Sequence, residues 1–367
     1  MPNNYSEICK TAEYTLTGNG ARRVRMLLES FEQVDPATQP DFYGSGSMIN
    51  DFEQEVAALL GKESAVFFPS GTMAQQIAVR IWSDEAGLKK AAYHPLCHLE
   101  IHERDGLKML HHIDTILLGS SDRLFTLEDL KAVNEPVACL LIELPQREIG
   151  GQLPAWEELV AISEFCKNKG IRLHLDGARL FEVLPYYGRS AGEICSLFDS
   201  VYVSFYKGLG GIAGAMLAGA PEFIEQSKAW KRRHGGDLIS LYPYIVNARY
   251  SMNKRMGKMK NYWEHAKKAA ELLNSIQGIR TLPEVPVCNM FHAFLDVSKE
   301  TAESIFAGII REHKLALITS FRETSATSCR SELTFGDSFE FIPQSILDAA
   351  FRQLAEEFRR LKSENSL

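Results

Sequence analysis

Two short apolar runs in the middle of the chain each break off at a charged residue, and no other feature limits the possible folds as much. Between Ile171 and Gly214 the sequence reads IRLHLDGARLFEVLPYYGRSAGEICSLFDSVYVSFYKGLGGIAG; the first run ends in Asp176 and the second in Lys207. An acid and a lysine at the carboxyl ends of buried strands sit where open α/β sheets keep their ligands.

The surroundings repeat the pattern. Ser64 to Phe68 is a short apolar strand that enters Pro69-Ser70-Gly71-Thr72, after which Met73, Ala74, Ile77 and Ala78 resume helical spacing. Ala138 to Ile142 is a fully apolar strand ending at Glu143, followed by the turn-rich LPQREIGGQLP and an amphipathic helix from Trp156 to Lys169 that Gly170 stops. Ile171, Leu173 and Leu175 then alternate with Arg172 and His174 to deliver Asp176. Ala215 to Ala218 reads as another strand and Pro221 to Arg233 as a helix. Strand, helix, strand in succession predicts an α/β fold, a mostly parallel sheet sandwiched by helices.

Further upstream, Asn50 is a candidate N-cap with Glu53 three residues on, and Phe52, Val56, Leu59 and Leu60 share a helical face that Gly61 ends. Ile239 to Ile276 reads as one long basic helical stretch. The tail changes character: a strand from Met290 to Val297, a helix from Ala302 to His313, two short strands, then a helix with Leu347, Phe351, Leu354, Phe358 and Leu361 in register. This gives three parts: an N-terminal arm, residues 1–40, contributing to a small domain; a large domain, 41–255; and a small α+β C-terminal domain, 256–367. A basic cluster, Arg22, Arg23 and Arg25, lies in the arm.

Composition narrows the function. With 40 Lys and Arg against 47 Asp and Glu, the net charge is -7, which speaks against nucleic acid or an acidic membrane as partner and suits a small-molecule substrate. No leader pattern opens the chain and no run of about 18 apolar residues occurs, so a soluble, cytoplasmic protein is expected. The seven cysteines are scattered, without a CxxC pair, and read as reduced packing residues.

Each motif has two readings. The Ser70-Gly71-Thr72 turn presents backbone N–H groups and the positive end of a helix dipole, as a phosphate requires; it is also what an ordinary N-capped helix looks like. Lys207, behind VYVSFY, should be partly desolvated, which favours the neutral amine that a Schiff base needs. The GLGGIAG run after it lets backbone lie against a flat cofactor, or forms a GxGxxA dinucleotide fingerprint and hence a nicotinamide-dependent dehydrogenase; a strand and not a helix after Ala213 weighs against the second. Asp176 is either a helix N-cap or a carboxylate that keeps a pyridine nitrogen protonated. Arg179 serves a phenolic oxygen or a substrate carboxylate, or pairs with Glu182 at the surface. His94, His98 and His102 recur at intervals of four, but Pro95 disturbs the helix a shared metal would need, so no metal is expected and one histidine stacking on a cofactor ring is the better reading.

SGTMAQQIAV, HLDGARLF and a lysine followed by GLG, in this order, resemble the low-specificity threonine aldolase or β-eliminating lyase family of fold-type I pyridoxal-phosphate enzymes, from about Phe42 to Gly236 and more loosely beyond. The resemblance implies pyridoxal 5'-phosphate joined to Lys207 as a Schiff base, Asp176 on its pyridine nitrogen, and Ser70, Gly71 and Thr72 around its phosphate. It implies His98, at the family's spacing from Glu103, stacked on the ring and available as base. Arg179 matches the arginine beside the cofactor oxygen, Arg330 in SCRSELTF the arginine for the substrate carboxylate, and Tyr43-Gly44 the family's Tyr-Gly near the active site. The implied reaction is aldol cleavage of L-threonine or L-allo-threonine to glycine and acetaldehyde by a homo-oligomer, a dimer or tetramer. β-Elimination or transamination is the alternative.

The chain also departs from the family pattern. Tyr206 precedes the lysine where the family commonly has Ser, and Glu143-Leu144-Pro145-Gln146-Arg147 replaces Glu-Asn-Thr-His-Asn. The family's N-terminal Arg-Ser-Asp-Thr phrase, which helps position the substrate carboxylate, is missing. The arginine lent across the dimer has no equivalent by Gly235-Gly236, though Arg232 or Arg233 stands close in sequence.

Overall fold

The computed structural model describes residues 5–21 and 23–364; Arg22 of the basic cluster lies outside them. The chain divides into two compact units, Arg23–Gly257 and a smaller one drawn from both ends, Met1–Arg22 with Lys258–Leu367.

The larger unit is built on a seven-stranded sheet. Its strands are β1 (Ser64–Phe68), β2 (Lys90–Tyr93), β3 (Asp114–Leu117), β4 (Cys139–Glu143), β5 (Arg172–Gly177), β6 (Ser200–Ser204) and β7 (Ala215–Gly219). In space the order is β1-β7-β6-β5-β4-β2-β3, and all pairs are parallel except the two that β7 makes. β1, β4, β6 and β7 read as near-continuous apolar runs because both faces are covered. Val66 and Phe68 of β1 join a core with Ala74, Ile77 and Ile81 of the helix Gly71–Ala86, where Trp82 stacks on Phe223 at 4.4 Å. Phe67, between them, faces the other way toward Phe52.

Phe52 belongs to the helix Ser47–Leu59, which starts earlier than the Asn50 cap predicts. Gly46 stands at the cap with φ 138°, a conformation open to glycine alone, so the chain turns into the helix there and Asn50 N–H already bonds Gly46 C=O. Glu53 closes no capping box; it is buried and accepts the Phe67 N–H at 2.8 Å, fastening the helix to β1.

The expected long helix from Ile239 is two, Tyr242–Arg255 and Met259–Asn274, and the turn Met256–Lys258 between them holds the boundary of the units. Residues 23–40, placed by sequence in an arm of the small domain, belong to the larger unit: Phe31 of the helix Arg25–Phe31 meets Tyr242 edge-on at 5.9 Å. Only the segment before them goes with the smaller unit, where Tyr14–Thr15 pairs in parallel with Leu315–Ala316. That unit has its own antiparallel sheet, of strands Arg322–Ser325, Ser328–Thr334, Met290–Leu295 and Ile279–Leu282 in spatial order, with helices Lys299–His313 and Gln344–Glu364.

Candidate active site

The parallel ladder places three side chains in one row. Glu143 of β4 is in register with Asp176 of β5, and Asp176 with Tyr202 of β6. All three line a hollow of about 550 Å³, together with Gly71, Thr72, His98, Arg147, Arg179, Tyr206 and Lys207. Sequence spacing thus becomes a site through the sheet's register, since neighbouring strands bring residues far apart in the chain to within one strand spacing.

Asp176 is 5 % exposed and fully bonded. One carboxylate oxygen accepts the Ala178 N–H at 2.9 Å and the other accepts the side-chain amide of Gln75, from the first turns of the helix Gly71–Ala86. It caps no helix; Arg179 holds the cap position of Leu180–Tyr187. Glu143 beside it is half-buried, accepts the His98 N–H at 2.9 Å, and has its pKa pushed well up by desolvation and then by the Asp176 charge.

Lys207 lies three residues beyond the end of β6, not at its last position, in the turn that leads to β7. Burial lowers its pKa, and the cations Arg179 and Arg147 lower it further. Its Nζ is 5.2 Å from the centroid of the Tyr206 ring. The glycines lead into strand β7 and not into a helix, which removes the dinucleotide reading.

His98 opens a short helix and its Nδ1 lies 3.1 Å from Glu103, which also accepts from Gln76 at 2.8 Å. A carboxylate only accepts, so Nδ1 carries the proton and Nε2 of the neutral ring carries the lone pair. Of the other two histidines of the series, buried His94 meets the Arg123 carbonyl at 2.8 Å, while His102 also lines the hollow and meets Glu148 at 2.9 Å.

At the far end, the helix Gly71–Ala86 begins with Ser70 in extended backbone at the cap, its side chain making no cap bond. The N–H groups of that first turn have no helical partner. A Cβ at Gly71 would fall 2.0 Å from the Tyr202 hydroxyl, so only glycine lets the phenol sit over the helix start. Arg179 does pair with Glu182, at 3.8 Å, but as a buried pair and not a surface one. Burial raises the Glu182 pKa to about 7, and the same carboxylate receives the Gly208 N–H.

Two predicted residues of the larger unit, Ser70 and Tyr43, do not line the hollow. Tyr43, on the turn Phe42–Ser45, donates its N–H to the Ile239 carbonyl and lies under the Arg232 guanidinium at 5.5 Å. Arg330 lies in the smaller unit, half-buried on strand Ser328–Thr334 opposite Phe294. Sequence reasoning missed Gln75, Gln76 and Tyr202, and had Glu182 only as a surface partner of Arg179. Two consecutive glutamines on a helix otherwise apolar toward the sheet were the one signal for the first pair.

A helix start that admits no Cβ, hydroxyls of Thr72 and Tyr202, a buried carboxylate and a desolvated lysine fit the phosphate, ring nitrogen and aldehyde carbon of pyridoxal phosphate. Fold and donor set define a fold-type I enzyme dependent on that cofactor. Residues 35–295 match the beta-eliminating lyase family, and the chain belongs to it. It is 29% identical to low-specificity L-threonine aldolase 1 of Arabidopsis thaliana over 277 residues, 72% of this chain and 77% of that one. Among solved structures, a provisionally assigned L-allo-threonine aldolase of Listeria monocytogenes EGD-E is 54% identical, with a TM-score of 0.95 over 96% of this chain and 98% of that one. The threonine aldolase of Leishmania major, at 19% identity and a TM-score of 0.68 over 95% of this chain and 99% of that one, shares the fold. The chain is therefore a pyridoxal-phosphate-dependent lyase.

Proposed function

We propose that this lyase cleaves L-threonine or L-allo-threonine between Cα and Cβ, giving glycine and acetaldehyde. One observation carries the reading. Lys207, Asp176 and a histidine whose Nδ1 is fixed by Glu103 share a single hollow.

Bound there, pyridoxal phosphate supplies a ring that accepts the electron pair left on Cα when the bond breaks. The protein does the rest. Lys207 holds the cofactor's aldehyde carbon, and its lowered pKa favours the neutral amine that the bond requires. Asp176, steadied by Gln75, keeps the proton on the pyridine nitrogen. Ser70, Gly71 and Thr72 receive the phosphate, with the Tyr202 hydroxyl above. Nε2 of His98 takes the proton of the β-hydroxyl, while Glu103 stabilises the charge that the ring gains. Arg179 and Arg330 take the cofactor oxygen and the substrate carboxylate, as the family pattern matches them.

We further propose a homo-oligomer. Tyr43 stands outside the hollow of its own chain beside exposed Phe42 and Ile239, which suits a residue offered to a second copy. The compartment we assign is the cytoplasm, since all seven cysteines are thiols and none is in a disulfide, as a reducing compartment leaves them.

Protein loaded with pyridoxal phosphate and given each threonine stereoisomer should release acetaldehyde and glycine. Ammonia and keto acid without acetaldehyde would sink the aldolase reading in favour of elimination.

A further inference from the structure

The proposed mechanism leaves one strong cation of the hollow without a task. Arg147 lines it together with Arg179 and Lys207, and it stands in the segment where this chain departs from the family's Glu-Asn-Thr-His-Asn. Its backbone is fixed. Gln146 N–H bonds the Gln152 carbonyl at 2.9 Å, the Gln146 side chain reaches the Leu96 carbonyl at 3.1 Å, and Gly150 N–H closes the turn on the Arg147 carbonyl at 3.0 Å. The side chain is steadied too: Glu148 lies 3.3 Å from the guanidinium and is itself held by His102 at 2.9 Å.

We infer that Arg147 binds the α-carboxylate of the amino-acid substrate. The substrate's amine must reach the carbon that Lys207 holds, and the α-carboxylate is two bonds from that amine. A cation that lines the same hollow as Lys207 is therefore placed to act on the carboxylate of whatever displaces it, and Arg147 and Arg179 are the two arginines among the lining residues. The guanidinium fork matches a carboxylate in two parallel bonds, so Arg is the residue type such a contact favours. Arg147 fills the gap left by the missing N-terminal Arg-Ser-Asp-Thr phrase, using a residue of the same unit as Lys207. Its acidic partner Glu148 keeps it oriented before substrate arrives.

The inference rests on the lyase reading but not on the bond that is cleaved, and its test separates the two. Calorimetry on holoenzyme, with and without Arg147→Gln, measures the binding of glycine and of glycinamide, which keeps the amine and lacks the carboxylate. The substitution should weaken glycine roughly tenfold or more and leave glycinamide unchanged, with Arg147→Lys in between. Under turnover the KM for threonine should rise by a similar factor while kcat changes little. Equal losses for the two ligands, no loss for either, or loss of the bound cofactor's absorbance in Arg147→Gln would each overturn the inference. If wild-type protein binds glycine but releases no acetaldehyde from threonine, the aldolase reading fails, and the contrast between glycine and glycinamide still decides the role of Arg147.

Discussion

Gly71 and Tyr202 illustrate how little freedom single residues have here. Gly71→Ala drives a methyl to within 2.0 Å of the hydroxyl of the buried Tyr202 and should cost about 1–3 kcal/mol. Thermal unfolding with and without pyridoxal phosphate should show a lower Tm and a smaller gain on adding cofactor. Glu182 gives a pH signature. Its carboxyl moves from 4.5 to about 7 on folding, so between these values the folded state holds a proton that the unfolded state has released. Stability is therefore lost as pH rises through that window and stays level above it. Glu182→Gln should remove part of that decline, read from urea midpoints at about pH 5 and about pH 7.5. Asp176 and Lys207 were legible in the sequence because a charge that ends an apolar run is conspicuous. Gln75, Glu182 and Tyr202 were not, since their roles come from contacts with residues distant in the chain.

Element boundaries obey the same division. Helices with local stop signals agree with their sequence reading, as at Trp156–Lys169, closed by Gly170 at φ 69°. Where the signal is tertiary, the reading slips. The helix Tyr242–Arg255 has no side-chain cap of its own at Leu241; its first N–H groups, those of Leu241 and Tyr242, are received by Asp41, some 200 residues earlier, at 2.8 and 2.7 Å. Asp41→Ala leaves those buried donors unmatched and should cost about 1–3 kcal/mol in chemical denaturation, with Asp41→Asn retaining part of the difference. The expected cap at Asn50 failed for a related reason. Gly46 already supplied the turn, and Glu53 had been drawn to the backbone of β1.

At the scale of the whole molecule, the α/β class was legible from alternating strands and helices, but the reversed direction of β7 was not, because an apolar pentapeptide carries no mark of its orientation. The two-ended origin of the smaller unit was only partly legible. The turn Phe42–Ser45 and the segment after Gly236 leave Phe42 63% and Ile239 61% exposed, side by side through the bond from Tyr43 to Ile239. Ile239→Lys should shift the protein toward smaller species in sedimentation, and a wild-type monomer at micromolar concentration would remove the oligomer proposal. The row of Glu143, Asp176 and Tyr202 carries one more consequence. Three separate strands hold those side chains abreast, and a single added or deleted residue inside any of them would turn its member to the opposite face of the sheet. Changes of length should therefore be tolerated in the exposed connection before β4, residues 132–136, and eliminated within β4, β5 and β6. Relatives that keep the chemistry can drift in amino-acid identity along those strands, but not in the spacing that measures them out.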